Sequence, residues 1–444
     1  MYLLECIDKV YKNNSNIVAA YKLIDVYTGK ILNFTKDALK LAMKSKSCAC
    51  INLQLTSDNR LIDKKKDSNN SNIWGYYVYL NKCRVLGVKP HISCVVDQEN
   101  DRVALVGVEE IKGETFVIPS YITDILVDYK GQDKSKVCYG PFAHCVETEY
   151  VKVLNHSKQI KSIHGLFAGL RAKVVDLSEM ETYNITDMSS LFEYADISEI
   201  RFGGKFKTSK VTNMSRMFFE ISALTLDISK LNTSRVENMS EMFADCLSLE
   251  QLNIKGIKTG NVKTFFRMFA NCIRLKKLDL SSFDTSGASN TMMMFDNTRS
   301  LNRLDTSNFD MSNVKTAYAM FKNTTNIKEI ILPYCGIGNY TVTDGLVSNS
   351  SVRSIDFGGI TPEFILRNGS NIVSDCKNLN CIKIHGRDLW NRREFLVKCI
   401  HSITSWLNNS EIKLVICKQY TNENELINYI IDNVTKISKV EISK

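Results

Sequence analysis

The chain has 444 residues, of which 44% are apolar and 24% charged, with a net charge of +9 from 57 Lys and Arg against 48 Asp and Glu. That length fits two to four globular domains. The basic excess is mild and spread along the chain, short of the strongly basic signature of a nucleic-acid domain, and the composition excludes a disordered or fibrous chain.

Residues 1–63 read as a small ββαβ module. Val18–Val26 and Ile31–Phe34 are strand-like around the turn Tyr27-Thr-Gly-Lys30, Thr35 opens a short helix, and Cys50–Leu55 returns as a strand. Residues 64–72 form a polar linker in the run Asp63-Lys-Lys-Lys-Asp-Ser-Asn-Asn-Ser-Asn72. Residues 73–150 read as a β-rich domain. Ile73–Leu80 is aromatic and strand-prone, Ile92–Val96 and Arg102–Val108 flank a polar turn as a hairpin does, and Glu114–Ile118 is a further strand. His91, Cys94, Cys138, His144 and Cys145 are of metal-ligating types. They lack a Cys-x-x-Cys knuckle and fall in two groups 43 residues apart, so no metal and no cofactor is expected.

From residue 151 to 385 the chain is periodic. Leu166-Phe167, Leu191-Phe192, Met217-Phe218, Met242-Phe243, Met268-Phe269, Met294-Phe295, Met320-Phe321, Leu346-Val347 and Ile372-Val373 recur every 25 or 26 residues, which is a tandem repeat. Nine or ten positions after each pair stands a triplet with apolar flanks, such as Leu226-Asp227-Ile228 or Leu278-Asp279-Leu280, the alternation of a short strand with one face inward. Four residues before the pair stand Ser162, Asp187, Asn213, Asn238, Thr264, Asn290, Thr316, Val342 and Asn368. Eight of these nine favour a helix N-cap, and Thr343 can cap in place of Val342. Each unit is therefore predicted to be a cap, one or two helical turns carrying the pair, a turn, and a strand of a parallel sheet. One unit cannot bury its own apolar face, and stacking does so.

The stretches Val211-Thr-Asn-Met-Ser-Arg-Met-Phe218, Val236-Glu-Asn-Met-Ser-Glu-Met-Phe243 and Leu278-Asp-Leu-Ser-Ser-Phe-Asp-Thr-Ser286 resemble the BspA-type leucine-rich repeats of bacterial surface proteins and mycoplasma lipoproteins, over about residues 160–385. The resemblance implies an interaction module rather than an enzyme. The fold class expected is α/β, a leucine-rich-repeat solenoid of about nine repeats with a parallel sheet, preceded by one or two small α+β or β-rich domains.

Residues 386–444 depart from the period and suit a C-terminal capping region or an oligomer interface. A helix from Asp388 to Leu407, a strand over Glu411–Lys418, and a helix after the capping box Asn422-x-x-Glu425, with Leu426, Ile427, Ile430, Ile431 and Val434 on one face, are predicted. The N-terminus carries Glu5 and Asp8 and lacks the apolar run of a signal peptide, and no stretch is long enough to span a bilayer. With 14 cysteines, several at apolar repeat positions, a reducing cytoplasm is expected, in contrast to the exported members of the family.

No phosphate loop, His-Glu-x-x-His or nucleophile motif is present, so no enzyme activity and no catalytic residue is expected. The expected function is a non-catalytic protein–protein interaction scaffold. Strand alternation turns the middle triplet residue and the one before the triplet outward, giving Arg201, Asp227, Gln251, Asn253, Lys277, Asp279, Arg303, Asp305, Glu329 and Asp356 as partner-binding candidates. Stacked Asp carboxylates repel, which a bound partner would relieve, or else they serve the repeat's own bonding. A phage- or mobile-element-encoded inhibitor of a bacterial defence enzyme would fit a cytosolic repeat protein. An exported adhesin is what the resemblance alone implies, and a nucleic-acid-associated protein would use Lys64–Lys66 and the β-rich domain.

Overall fold

The structure is a computed structural model. It describes residues 148–443 except 156, 333–341, 359–364, 366–367, 369–370, 386–388, 406, 408–410 and 418–422. Before residue 148 it describes the strands, and side chains only within 104–105, 107–108, 115–118, 122–127 and 140–143. The chain divides into two compact units, 1–210 and 211–444.

In the first unit, Ile31–Thr35, Asn16–Asp25, Tyr2–Lys12, Tyr76–Leu80 and Cys48–Ala49 lie side by side in that order, and Leu53–Leu55 pairs with Leu61–Asp63. Tyr2–Lys12 pairs antiparallel with both Asn16–Asp25 and Tyr76–Leu80, a strand whose own sequence pattern does not mark it. The hairpin of Lys89–Asp97 with Arg102–Lys112 is present. The helix predicted after Thr35 lies outside the described residues.

We number the strands of the parallel sheets. In the first unit β1 (Thr115–Ile118), β2 (Thr148–Asn155), β3 (Arg171–Asp176) and β4 (Asp196–Arg201) pair in chain order. The parallel stacking thus begins before the first repeat visible in the sequence. In the second unit β5 (Thr225–Asp227) pairs with β6 (Gln251–Asn253). Further along, β7 (Leu304–Asp305), β8 (Glu329–Ile331), β9 (Ser354–Asp356), β10 (Cys381–His385), β11 (Ile412–Cys417) and β12 (Ile437–Ser443) form a six-stranded parallel sheet. The strand predicted at Leu278–Leu280 does not form; Leu280 is buried there, Leu278 only half-buried.

The Met-Phe segment is not helical, contrary to the sequence reading, except that Asn371 and Ile372 are helical in the last unit. Its amides divide into two alternating sets. Arg216, Phe218 and Glu220 donate to the carbonyls of Ser240, Met242 and Ala244 in the next repeat at 2.9–3.0 Å, while Met217, Phe219 and Ile221 donate three residues back to Met214, Arg216 and Phe218. A helix satisfies its amides internally; this segment gives every second one to its neighbour. The geometry requires positive φ on both sides of the pair, at Arg216 and Glu220, Glu241 and Asp245, Arg267 and Asn271, Met293 and Asn297, Ala319 and Asn323. The second of these positions favours Asp and Asn, the side chains that best tolerate the left-handed region. They also link repeats: Asn297 Nδ2 donates to Asn271 Oδ1 (2.6 Å) and Asn349 Nδ2 to Asn323 Oδ1 (2.7 Å).

The predicted cap residues accept the bonds expected of them, in a turn rather than a helix. Asn213, Asn238 and Asn290 each take the backbone N–H two residues on at 2.9–3.1 Å. Neighbouring caps form parallel bridges from Asn213 to Val342. Val342 has no such acceptor, and Thr343 does not replace it, because its buried hydroxyl has no hydrogen-bond partner.

Stacking brings identical side chains into register. Phe218, Phe243, Phe269, Phe295 and Phe321 are buried, with successive ring centroids 5.5–5.6 Å apart and planes within 7° of parallel. Each such ring contributes about 1.5–3 kcal/mol by burial. Cys246, Cys272 and Cys376 are buried, unbridged thiols that donate to the carbonyls of Phe218, Phe243 and Val347 at 3.0–3.1 Å. Opposite the Phe column a buried threonine joins the repeats. The Thr285 hydroxyl donates to the Asp310 carbonyl (2.9 Å) and accepts from the Asp310 N–H (2.7 Å), and Thr259 does the same with residue 284.

After the repeats, a 3-10 turn Leu389–Arg392 leads into α1 (Arg393–Thr404), shorter than the predicted span to Leu407, which buries Leu396, Cys399, Ile400 and Ile403. Arg392 stands at the cap position without a side-chain cap bond. The second helix, α2 (Glu423–Asn433), buries Leu426 and Ile430 but leaves Ile431 47% exposed, so the predicted five-residue face is divided. The strand β12 that follows was not predicted. Among the described residues no helix is long and apolar enough to cross a membrane.

The threonine link and the ring column make separate demands on stability. Thr285→Val leaves the Asp310 amide and carbonyl without their partner and is expected to cost about 1–3 kcal/mol. Phe269→Ala is expected to cost about 3–5 kcal/mol. Urea unfolding of the native chain checks both; a Thr285→Val variant as stable as the native protein would contradict the link.

Candidate partner-binding face

Alternation on the strands places the predicted residues as follows. On β5 and β6, Leu226 and Leu252 face the core, and Thr225, Asp227, Gln251 and Asn253 are exposed. Lys277, Asp279, Arg303 and Asp305 are exposed as well, on either side of buried or half-buried apolar residues. These side chains occupy one outward row of the second unit. Leu224, 57% exposed, lies next to it, immediately before β5.

Arg201 belongs to the first unit and is engaged there. Its guanidinium makes a forked pair with Glu199 (2.7 and 3.0 Å) and lies over the Tyr150 ring, whose hydroxyl donates to Asp176 Oδ2 (2.5 Å). Glu329 is half-buried and bound by Lys383, which reaches from β10 past the small Ser354 of β9 (2.7 Å). Asp356, expected to face outward, is 6% exposed. His385 Nε2 lies 2.7 Å from its Oδ1, and the Gly358 N–H donates to the same oxygen (2.9 Å). Its carboxyl stays below the usual range because burial, which raises it, is outweighed by His385, the Gly358 N–H and Lys383.

The Asp column serves the turns. Asp227, Asp279 and Asp305 each accept through Oδ1 the backbone N–H two residues on, from Ser229, Ser281 and Ser307, at 2.9–3.1 Å. Asn253 does so for Lys255 (3.2 Å). A second column repeats the device, with Asp284 taking Ser286 and Asp310 taking Ser312 at 2.9 Å. These contacts account for the Leu278-Asp-Leu-Ser-Ser-Phe-Asp-Thr-Ser286 pattern residue by residue: each Asp closes a turn, Phe283 is buried, and Thr285 links repeats. The carboxyls are correspondingly acidified. Ser281 lowers Asp279, and Ser286 lowers Asp284. For Asp227 and Asp305 burial raises the value, but the bonds from Ser229 and Ser307 win.

Three overlapping segments, 161–256, 186–302 and 252–334, match the family described as Mycoplasma protein of unknown function, DUF285. These segments all lie within the repeat region, whose repeats are similar to those of that family. The crystal structure at 2.50 Å of a leucine-rich repeat protein from Eubacterium ventriosum aligns over 79% of this chain and 82% of its own, at 13% identity and a TM-score of 0.33. No curated protein matches the chain.

With their Asp carboxylates committed to turns, the repeats leave a shorter set of unengaged groups. Gln251 and Lys277 make no side-chain hydrogen bond or ion pair among the described residues, and Arg303 touches only Asp305, at 3.4 Å. Among the described residues no group of three or more His, Cys, Asp or Glu is placed to hold a metal. The side chains of His91, Cys94, Cys138, His144 and Cys145 lie outside those residues.

The carboxylates whose folded pKa is depressed stabilise the protein above their unfolded value of about 4, and that contribution disappears as pH falls through the folded value. Urea stability is therefore expected to decline below about pH 4. Asp279→Asn with Asp305→Asn, which keeps the turn acceptor but removes the charge, is expected to flatten that decline. An unchanged pH profile would contradict the turn assignment.

Proposed function

We propose that this protein is a non-catalytic interaction scaffold, and that the outward row of the second unit binds a protein partner. The observation that supports it is the row Gln251, Lys277 and Arg303, unengaged or nearly so, on a backbone fixed by inter-repeat bonds and beside the exposed Leu224. Side chains held in place before contact lose little freedom on binding, which lowers the ordering cost of association. An apolar residue at the margin of a row of mixed charge also matches the make-up of a protein interface better than that of a phosphate-backbone site.

The partner envisaged is a folded protein whose activity is blocked by capture, a bacterial defence enzyme being the class that fits a repeat protein of mobile-element origin. Asp279 and Asp305 belong to the same row, but reversing them would also break two turns. The cleaner test reverses Lys277 and Arg303. Lys277→Glu with Arg303→Glu is expected to weaken binding of a partner isolated from native cells at least tenfold, on the scale of charged interface contacts, with an unchanged unfolding midpoint. Equal binding by the native and variant proteins, measured by titration with the purified partner, would end this reading.

A further inference from the structure

Among the described residues, the six-stranded sheet of the second unit has an unpaired edge at β12. β12 pairs with β11 through the register Ile412↔Ile437 to Cys417↔Ser443, and among the described residues no strand pairs with its other edge. Seven residues of backbone at a sheet edge form a template for another strand. The edge is also held firmly in position. Lys436, just before β12, donates through Nζ to the carbonyls of Thr404 (2.8 Å) and Leu407 (2.6 Å), which ties the strand to the end of α1.

We propose that this edge is a dimer interface, and that its occupant is β12 of a second copy of the chain, paired antiparallel about a two-fold axis at Val440. The charge pattern selects that partner and that register. Lys439 is exposed and Glu441 half-exposed, two residues apart on one face of the strand, and Val440 between them is buried. With the axis at Val440, Lys439 of each copy stands opposite Glu441 of the other, and the two Val440 residues meet. With the axis one residue either way, Lys faces Lys or Glu faces Glu, which is unfavourable directly across a pair. The strand is therefore complementary to itself in a single register. Glu441 already binds Lys413 and Lys439 of its own chain (Lys439 at 2.7 Å), and the partner's lysine would complete a ladder of alternating charge.

The same two-fold axis accounts for a second feature. An axis perpendicular to the joined sheet keeps both copies of α2 on one side of it, flanking the junction. α2 packs against β12, and its Ile431 is a large apolar side chain left 47% exposed. An isologous interface of this kind, in which one patch meets itself, is the commonest form of homodimer.

The test uses the full chain and light scattering coupled to size exclusion at 50 mM salt and tens of micromolar protein. The native protein is expected to run as a dimer. Lys439→Glu and Glu441→Lys should each run as folded monomers by circular dichroism, because each places like charges opposite one another. Mixed in equal amounts, they should form a heterodimer, since the all-acidic edge of one meets the all-basic edge of the other. A native chain that stays monomeric would overturn the proposal. So would single variants that dimerise like the native chain, or a mixture of two folded variants that stays monomeric.

Discussion

The structure depends on how the backbone amides around each apolar pair are shared. Arg216, Phe218 and Glu220 donate to the next repeat and Met217, Phe219 and Ile221 to their own turn. No amide of this segment is left over, and no repeat can satisfy its own. That division ties each repeat to the next, so its neighbour must present matching carbonyls. Left-handed residues on both sides of the pair make the alternation geometrically possible, at a strain of about 1–2 kcal/mol for each non-glycine residue. The stacked Phe column and the threonine link offset that strain.

Periodicity was legible because it is a property of side-chain identity. The Met-Phe dipeptide, the Asn or Thr four residues before it and the apolar triplet located the stacking rings, the bridge ladder and most of the strands. Helical turns were the wrong reading of the pair, because an Asn followed by apolar residues reads alike at a helix cap and in a tight turn. The signal that separates them was present: Asp245, Asn271, Asn297, Asn323 and Asn349 recur at one repeat position, and a helix interior has no use for a residue that favours positive φ. Thr148–Asn155 and Ile437–Ser443 were missed for a different reason. Neither follows one of the nine apolar pairs, and their parallel neighbours assign them to the sheet.

The candidate site was legible only in outline. Alternation identified the outward row, and Asp227, Gln251, Asn253, Lys277, Asp279, Arg303 and Asp305 are exposed as read. What each side chain is engaged in depends on contacts the sequence does not show. A single strand pattern cannot reveal that Asp356 is covered by His385, 29 residues away, or that Lys383 spans two strands to Glu329. The Asp column reads as mutual repulsion until the turn amides that neutralise it are seen. The candidates that remain unengaged are the amide and the cations between them, which moves the expected contact from the acidic residues to Gln251, Lys277 and Arg303.

Amide hydrogen exchange tests the central claim most directly. If the apolar-pair segments hold the stack together, the amides of Phe218, Phe243, Phe269 and Phe295 will be protected as strongly as those of the strand residues Leu226 and Leu252, and will open only when neighbouring repeats unfold together. Turn amides that exchange as fast as exposed loops, beside strands that stay protected, would show that the strands alone carry the fold and would contradict this account.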